Sequence, residues 1–151
     1  MKAVLNDLER AAWTGLVVTQ GRIFREVEED LRKNAGLAHT EYEVLLNLYY
    51  APERRERIQT LAAKSLLSRS GTSRAVDRMV KAGYVRRADA AEDGRGAYAV
   101  LTDAGRKHFE KAQASHLHLV KTLYIAKFSE AELKTLGRLF DRFRTRRPDQ
   151  P

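Results

Sequence analysis

The 151-residue sequence reads as a mainly helical chain carrying one small β-hairpin. Three observations lead there. Apolar residues recur at three- and four-residue steps through most of the chain, and hydroxyl–acid pairs and glycines punctuate those runs as helix starts and stops. One stretch, "YVRRADAAEDGRGAYAVLT", breaks the rhythm with two β-branched, aromatic runs around a glycine-bearing tip.

Up to about Asn34 the residues Leu5, Leu8, Ala12, Leu16, Ile23, Val27 and Leu31 form one helical stripe. A helix of about 30 residues rises roughly 45 Å, more than one small core can cover, so part of this stripe needs a partner elsewhere. "NAGLAHT" ends it with Gly36 as C-cap, and Thr40 with Glu43 predicts a T-x-x-E capping box opening the next helix, which Pro52 helps close. "RIQTLAAKSLL" predicts a short helix around Ile58 to Lys64, and "SRSGTSRAVDRMVKAG" another from about Ser70 to Ala82 with Gly83 just past its end. Two helices so close in sequence form a helix-turn-helix pattern.

The strand candidates "YVRRA" and "AYAVLT" follow, joined by the tip Asp93-Gly94-Arg95-Gly96. Thr102 caps the next helix, which carries Leu117, Val120, Leu123 and Tyr124 and runs to about Lys127. Ser129 and Glu132 make a second capping box for a last helix through "ELKTLGRLFDRFR" that stops before Pro148. The predicted order is α-α-α-α-β-β-α-α, without repeats or low-complexity segments.

With 43% hydrophobic residues the chain buries one core and makes one domain, with an attached extension. The 28 Lys+Arg against 20 Asp+Glu leave a net charge of +8, a field that favours phosphate-rich partners without choosing among nucleic acid, an anionic membrane and an acidic protein. No cysteine is present, which excludes disulfides, thiolate metal sites and thiol redox sensing. Charges interrupt the apolar residues of the N-terminus, and no run approaches the roughly 20 apolar residues of a membrane span. The expectation is a soluble, cytoplasmic protein with no membrane partner.

At about 100° per residue, Ser70, Ser73, Arg74, Asp77, Arg78 and Lys81 gather on one face of the second helix of the pair, and Thr72, Ala75, Val76, Met79 and Val80 on the other. From Ser68 to Arg87 stand Arg69, Arg74, Arg78, Lys81, Arg86 and Arg87 against Asp77 alone, a local +5. Small hydroxyls near a helix start permit close approach to DNA, and arginine can donate two hydrogen bonds to guanine O6 and N7. Asp77 is expected to brace Arg74, Arg78 or Lys81 at helical spacing. At the hairpin tip Gly94 and Gly96 permit the turn, Asp93 braces it, and Arg95 stands at the apex, suited to the negative potential of a narrow minor groove.

The whole order, and above all "SRAVDRMVKAGYVRR" and "EDGRGAYAVLTDAG", resembles the MarR (multiple antibiotic resistance regulator) family of winged helix-turn-helix transcription factors. By that resemblance Ser68, Arg69, Ser70, Thr72, Ser73 and Arg74 are recognition-helix positions, and Asp93 and Arg95 are the D-x-R of the wing. Residues 40–102 are then the DNA-binding region, and 1–36 with 103–147 the dimerisation region, in which Leu5, Leu8, Leu16, Leu133, Leu136, Leu139, Phe140 and Phe143 face a second copy. The resemblance implies a homodimer on a pseudo-palindromic double-stranded operator, usually repressing, in many members released by a small aromatic or anionic effector. "DAAED" stands where the family often has a proline before the wing acid, a change in loop path.

Trp13, His39 and Tyr42 are candidates to line a ligand pocket, with core or dimer packing as the other reading of Trp13. His108, His116 and His118 share a helix without metal-ligand spacing, and "GRGAYA" precedes a strand rather than following one, so neither a metal, a cofactor nor an enzyme is expected. Arg142, Arg144, Arg146 and Arg147 complement a helix end or touch phosphate. A winged-helix module docking an acidic protein is the alternative function.

Overall fold

The structure is a computed structural model that describes residues 4–64, 69–89 and 97–143, with the backbone alone at 69 and 89. Helix α1 (Asp7–Ala35) starts where Asn6 accepts the Glu9 N–H at 2.9 Å while the Glu9 carboxylate accepts the Asn6 N–H at 2.8 Å. It stops at Gly36, whose φ of 64° is a left-handed turn that glycine adopts without strain. Only Val27 and Leu31 of this helix are buried, so its N-terminal half stands off the core.

Helix α2 (His39–Tyr50) begins earlier than the T-x-x-E reading predicts. Buried Leu37 anchors the chain, Ala38 takes the extended cap position, and the Glu41 carboxylate accepts the Ala38 N–H at 2.9 Å. Glu28 of α1 accepts the next N–H, that of His39, at 3.1 Å. With two carboxylates satisfying the helix start, no hydroxyl cap is needed and Thr40 lies inside the helix.

After α2 the chain turns through Glu53 and Arg54, both at positive φ, into β1 (Arg55–Arg57), then α3 (Ile58–Lys64) and α4 (Arg69–Lys81). Strands β2 (Val85–Asp89) and β3 (Ala97–Leu101) follow, then α5 (Asp103–Leu123), a 3-10 turn at Ile125–Lys127, α6 (Glu130–Phe140) and a final 3-10 turn at Asp141–Phe143. Helix α5 ends before the predicted Lys127 because Tyr124 leaves helical torsions, setting Phe128 in extended backbone ahead of the Ser129–Glu132 box that opens α6.

The sheet is antiparallel in the order β1-β3-β2, with Val85 opposite Leu101 and Arg55 opposite Val100. The sequence reading missed β1 because "RER" carries no apolar alternation. Its anchor is Tyr98 of β3, whose ring lies 3.9 Å beneath the Arg55 guanidinium and whose hydroxyl accepts from Arg57 Nε at 3.1 Å.

The core joins Val44, Leu45 and Leu48 of α2, Leu61 of α3, Val76 and Met79 of α4, Val85 and Leu101 of the sheet, and Phe109 of α5. Tyr42 and Tyr49 bring their rings within 5.4 and 4.8 Å of Phe109. No helix among the described residues is long and apolar enough to cross a membrane.

Thr102 locks the hairpin onto α5. Its Oγ1 accepts the Gly105 N–H at 3.0 Å and donates to the Gly83 carbonyl at 2.8 Å, while its own N–H donates to the Tyr84 carbonyl at 3.0 Å. A Cβ at Gly105 would fall 2.0 Å from the Tyr84 carbonyl oxygen, so only glycine permits this approach. Gly→Ala inside a helix ordinarily stabilises by about 0.5–1 kcal/mol. Gly105→Ala is expected to do the reverse, costing about 1–3 kcal/mol as backbone separates, read as a lower urea midpoint at unchanged m.

Candidate nucleic-acid interface

Helix α4 divides as its sequence predicts. Ala75, Val76 and Met79 are buried and Val80 is half-buried, whereas Ser70, Arg74, Asp77, Arg78 and Lys81 are exposed and Ser73 is partly so. Thr72 is the exception among the recognition positions implied by the family resemblance: it is fully enclosed. It shares the inward stripe with Ala75, Val76 and Met79 at three-, four- and seven-residue steps, so it belongs to the support of the helix and is removed from the DNA-facing set. Among the other expected contacts, Ser68, Asp93 and Arg95 lie outside the described residues, as does the side chain of Arg69 and the tail residues Arg144, Arg146 and Arg147.

The exposed arginines separate into two groups. Arg78 Nε meets Glu41 Oε1 at 2.5 Å, and Arg87 Nη2 on β2 meets Asp77 Oδ1 at 2.6 Å. Asp77 therefore braces the neighbouring strand rather than a residue of its own helix. Val85, buried beside α4, brings β2 close enough for the Arg87 side chain to span the gap, and Glu41 already engages Arg78. Arg74, Lys81 and Arg86 are exposed and make no ion pair among the described residues.

A second feature lies between α1, α5 and α6, an apolar cavity of about 880 Å³ whose wall includes Leu16, Phe24, His39, His116, Tyr124 and Leu139. Of the three ligand candidates only His39 reaches it. Tyr42 is buried between Phe109 and His116, where burial, with Tyr50 adding to it, pushes its hydroxyl up to about 12. Trp13 is 60% exposed on α1 and does not line the cavity, so packing in the core of this chain is also excluded for it. The spacing could have found His116: His116 and Val120 of α5 and Tyr124 just past its end recur every four residues, and all line the cavity.

The residues expected at a dimer interface lie at the surface of the single chain. Leu5, Leu8, Leu16, Phe140 and Phe143 are exposed and Leu133, Leu136 and Leu139 half-buried. His108 has a structural place, stacked 4.3 Å from Tyr84 with Nε2 2.9 Å from the Ala35 carbonyl oxygen. No acidic or histidine cluster among the described residues could hold a metal.

His116 has a buried Nδ1 without a hydrogen-bond partner among the described residues, and its ring lies 4.8 Å from Tyr42. Burial, with the neighbouring His39, holds it below the ordinary histidine value of 6.5, while Asp30 opposes the shift. A folded-state pKa below the unfolded one means that the folded chain binds fewer protons. Its contribution to stability is whole above about 6.5 and falls away as pH drops below that value. Between pH 7 and 5 the thermal midpoint of the native chain is expected to fall further than that of His116→Gln, measured by circular dichroism melts of both.

With this geometry in view, the MarR family model matches residues 35–96, from the end of α1 through α4 and β2. Among curated proteins none matches the sequence. Among solved structures, AbsC, a MarR family transcriptional regulator from Streptomyces coelicolor, is 30% identical over 94% of this chain and 95% of its own, with a TM-score of 0.89. Sco3205, a MarR family transcriptional regulator from the same organism solved in complex with DNA, is 29% identical over 94% of this chain and 89% of its own, with a TM-score of 0.90. BldR, a transcriptional regulator from Sulfolobus solfataricus, shares the fold at 22% identity and a TM-score of 0.71 over 91% of this chain and 99% of its own. The match to AbsC along nearly the full length of both chains, together with a buried-and-basic α4 set beside an antiparallel hairpin, makes this chain a member of the MarR family of winged-helix transcriptional regulators.

Proposed function

We propose that the chain acts as a homodimeric, sequence-specific repressor in the cytoplasm, binding a pseudo-palindromic operator and released by a small aromatic or anionic ligand. The observation that carries the reading is the outer face of α4, where Arg74 and Lys81 make no ion pair among the described residues while carboxylates tie Arg78 and Arg87. A helix held rigidly on its inner side with free cations outside suits a major groove. Arg86 on β2 adds a cation for the flanking phosphates, and Arg95 at the wing tip is assigned to the minor groove. The exposed apolar side chains on α1 and α6 supply the dimer contact, which puts two copies of α4 on one DNA face when half-sites lie about 10–10.5 bp apart.

Arg74→Ala is expected to cost about 1–3 kcal/mol on the best duplex and to relax preference at one base pair. Arg86→Ala is expected to weaken every duplex alike and to lower the salt slope by about 1. Competition titrations over a salt series, with duplexes selected from genomic fragments, separate the two. Equal losses on specific and random DNA in both variants would defeat this assignment, and no preference for any duplex would favour an acidic protein as the partner.

Leu8→Asp alters a side chain that is 80% exposed in the single chain, so any penalty must come from a partner surface. Light scattering is expected to show the native protein at twice, and the variant at once, the chain mass of 17.2 kDa. An unchanged mass would reject α1 as part of the interface.

A further inference from the structure

Glu41 is 8% exposed, a carboxylate enclosed where α2 meets α1 and α4. Enclosing such a group is costly unless each oxygen is satisfied, and both are. Oε1 faces Arg78 Nε at 2.5 Å and Oε2 accepts the Ala38 N–H at 2.9 Å. One side chain thus joins the first peptide of the α1–α2 corner to the outer face of α4.

The adjacent peptide is held from the other side. The His39 N–H donates to Glu28 Oε2 at 3.1 Å, and Glu28 Oε1 receives Arg32 Nη2 at 3.2 Å. The His39 ring lies 5.0 Å from that of Phe24, and both rings form part of the cavity wall. A shift of that wall displaces the two consecutive N–H groups that Glu28 and Glu41 hold. The Glu41 carboxylate can follow only by drawing Arg78 with it or by leaving a buried charge unpaired.

We propose that Glu41 is a positioning residue for DNA recognition, carrying the setting of the α1–α2 corner, and with it of the cavity wall at His39 and Phe24, to α4 through Arg78. On this account Arg78 sets the pose of α4, and base reading falls to Arg74. The proposal rests on the regulator reading for its DNA readout and stands apart from it in its effect on α4 itself.

Glu41→Gln separates this role from simple electrostatics. Removing a negative charge beside a DNA-facing helix ordinarily strengthens binding to any duplex. Here the ratio of affinities for a genome-selected duplex over a random duplex of equal length is expected to fall at least ~tenfold, while random-duplex affinity holds or rises. Glu28→Gln, one step further from DNA, is expected to lower the same ratio about threefold. In the free full-length protein, both variants are expected to speed amide hydrogen exchange in α4 while leaving α5 unchanged. An intact ratio in E41Q, or equal shifts on both duplexes, would overturn the proposal. Should E41Q fail to fold by circular dichroism, E41Q/R78M leaves no unpaired buried charge and is judged by the same two outcomes. If the native protein prefers no duplex, the regulator reading fails, and exchange decides alone: α4 amides unaltered in E28Q would then overturn the coupling.

Discussion

The burial of one stripe of α4 governs the arrangement around it. Thr72, Ala75, Val76 and Met79 are enclosed by α2, α3 and β2, and each fully buried aliphatic side chain contributes about 1.5–3 kcal/mol. Because successive residues turn by about 100°, fixing that stripe fixes which residues face outward. A rotation by one residue would bring Val76 or Met79 toward water and turn Arg74 toward the core, a large cost against the roughly 5–15 kcal/mol that holds a domain folded. The chemistry of the outer face therefore follows from packing on the inner one.

Charge pairing refines what packing sets. Local composition puts a dense positive charge on α4 and β2, but the folded chain does not present it evenly. Glu41 and Asp77 each take one arginine and use it as a strut, Arg78 toward α2 and Arg87 across to the sheet. Cations serving as struts have a fixed pose, whereas Arg74, Lys81 and Arg86 retain their reach. The same economy appears at the α1–α2 corner, where Glu28 and Glu41 cap backbone N–H groups that a hydroxyl would otherwise serve.

What was legible in the sequence was whatever depends on near neighbours. The helix stripes, the left-handed glycines Gly36 and Gly83, the Thr102 cap and the Ser129–Glu132 box each need only a few adjacent residues, and each stands where it was read. The inner and outer faces of α4 were legible for the same reason. The features that escaped need partners distant in sequence. Strand β1 depends on Tyr98, the start of α2 on Glu28, and the Asp77 pair on Arg87. Tyr42 and Trp13 likewise read alike as large aromatics until the fold sends one into the core and leaves the other in solvent.

Among the described residues the sheet has three strands, with β1 and β2 as its outer members. Unpaired N–H and C=O groups along such margins invite another chain to add itself, a route to fibres for any protein that exposes them. Here Arg55 and Arg57 stand on one margin and Arg86 and Arg87 on the other. A second sheet approaching edge-on would bring arginine against arginine and be repelled. Charged side chains along both margins thus disfavour edge-to-edge pairing of neighbouring sheets.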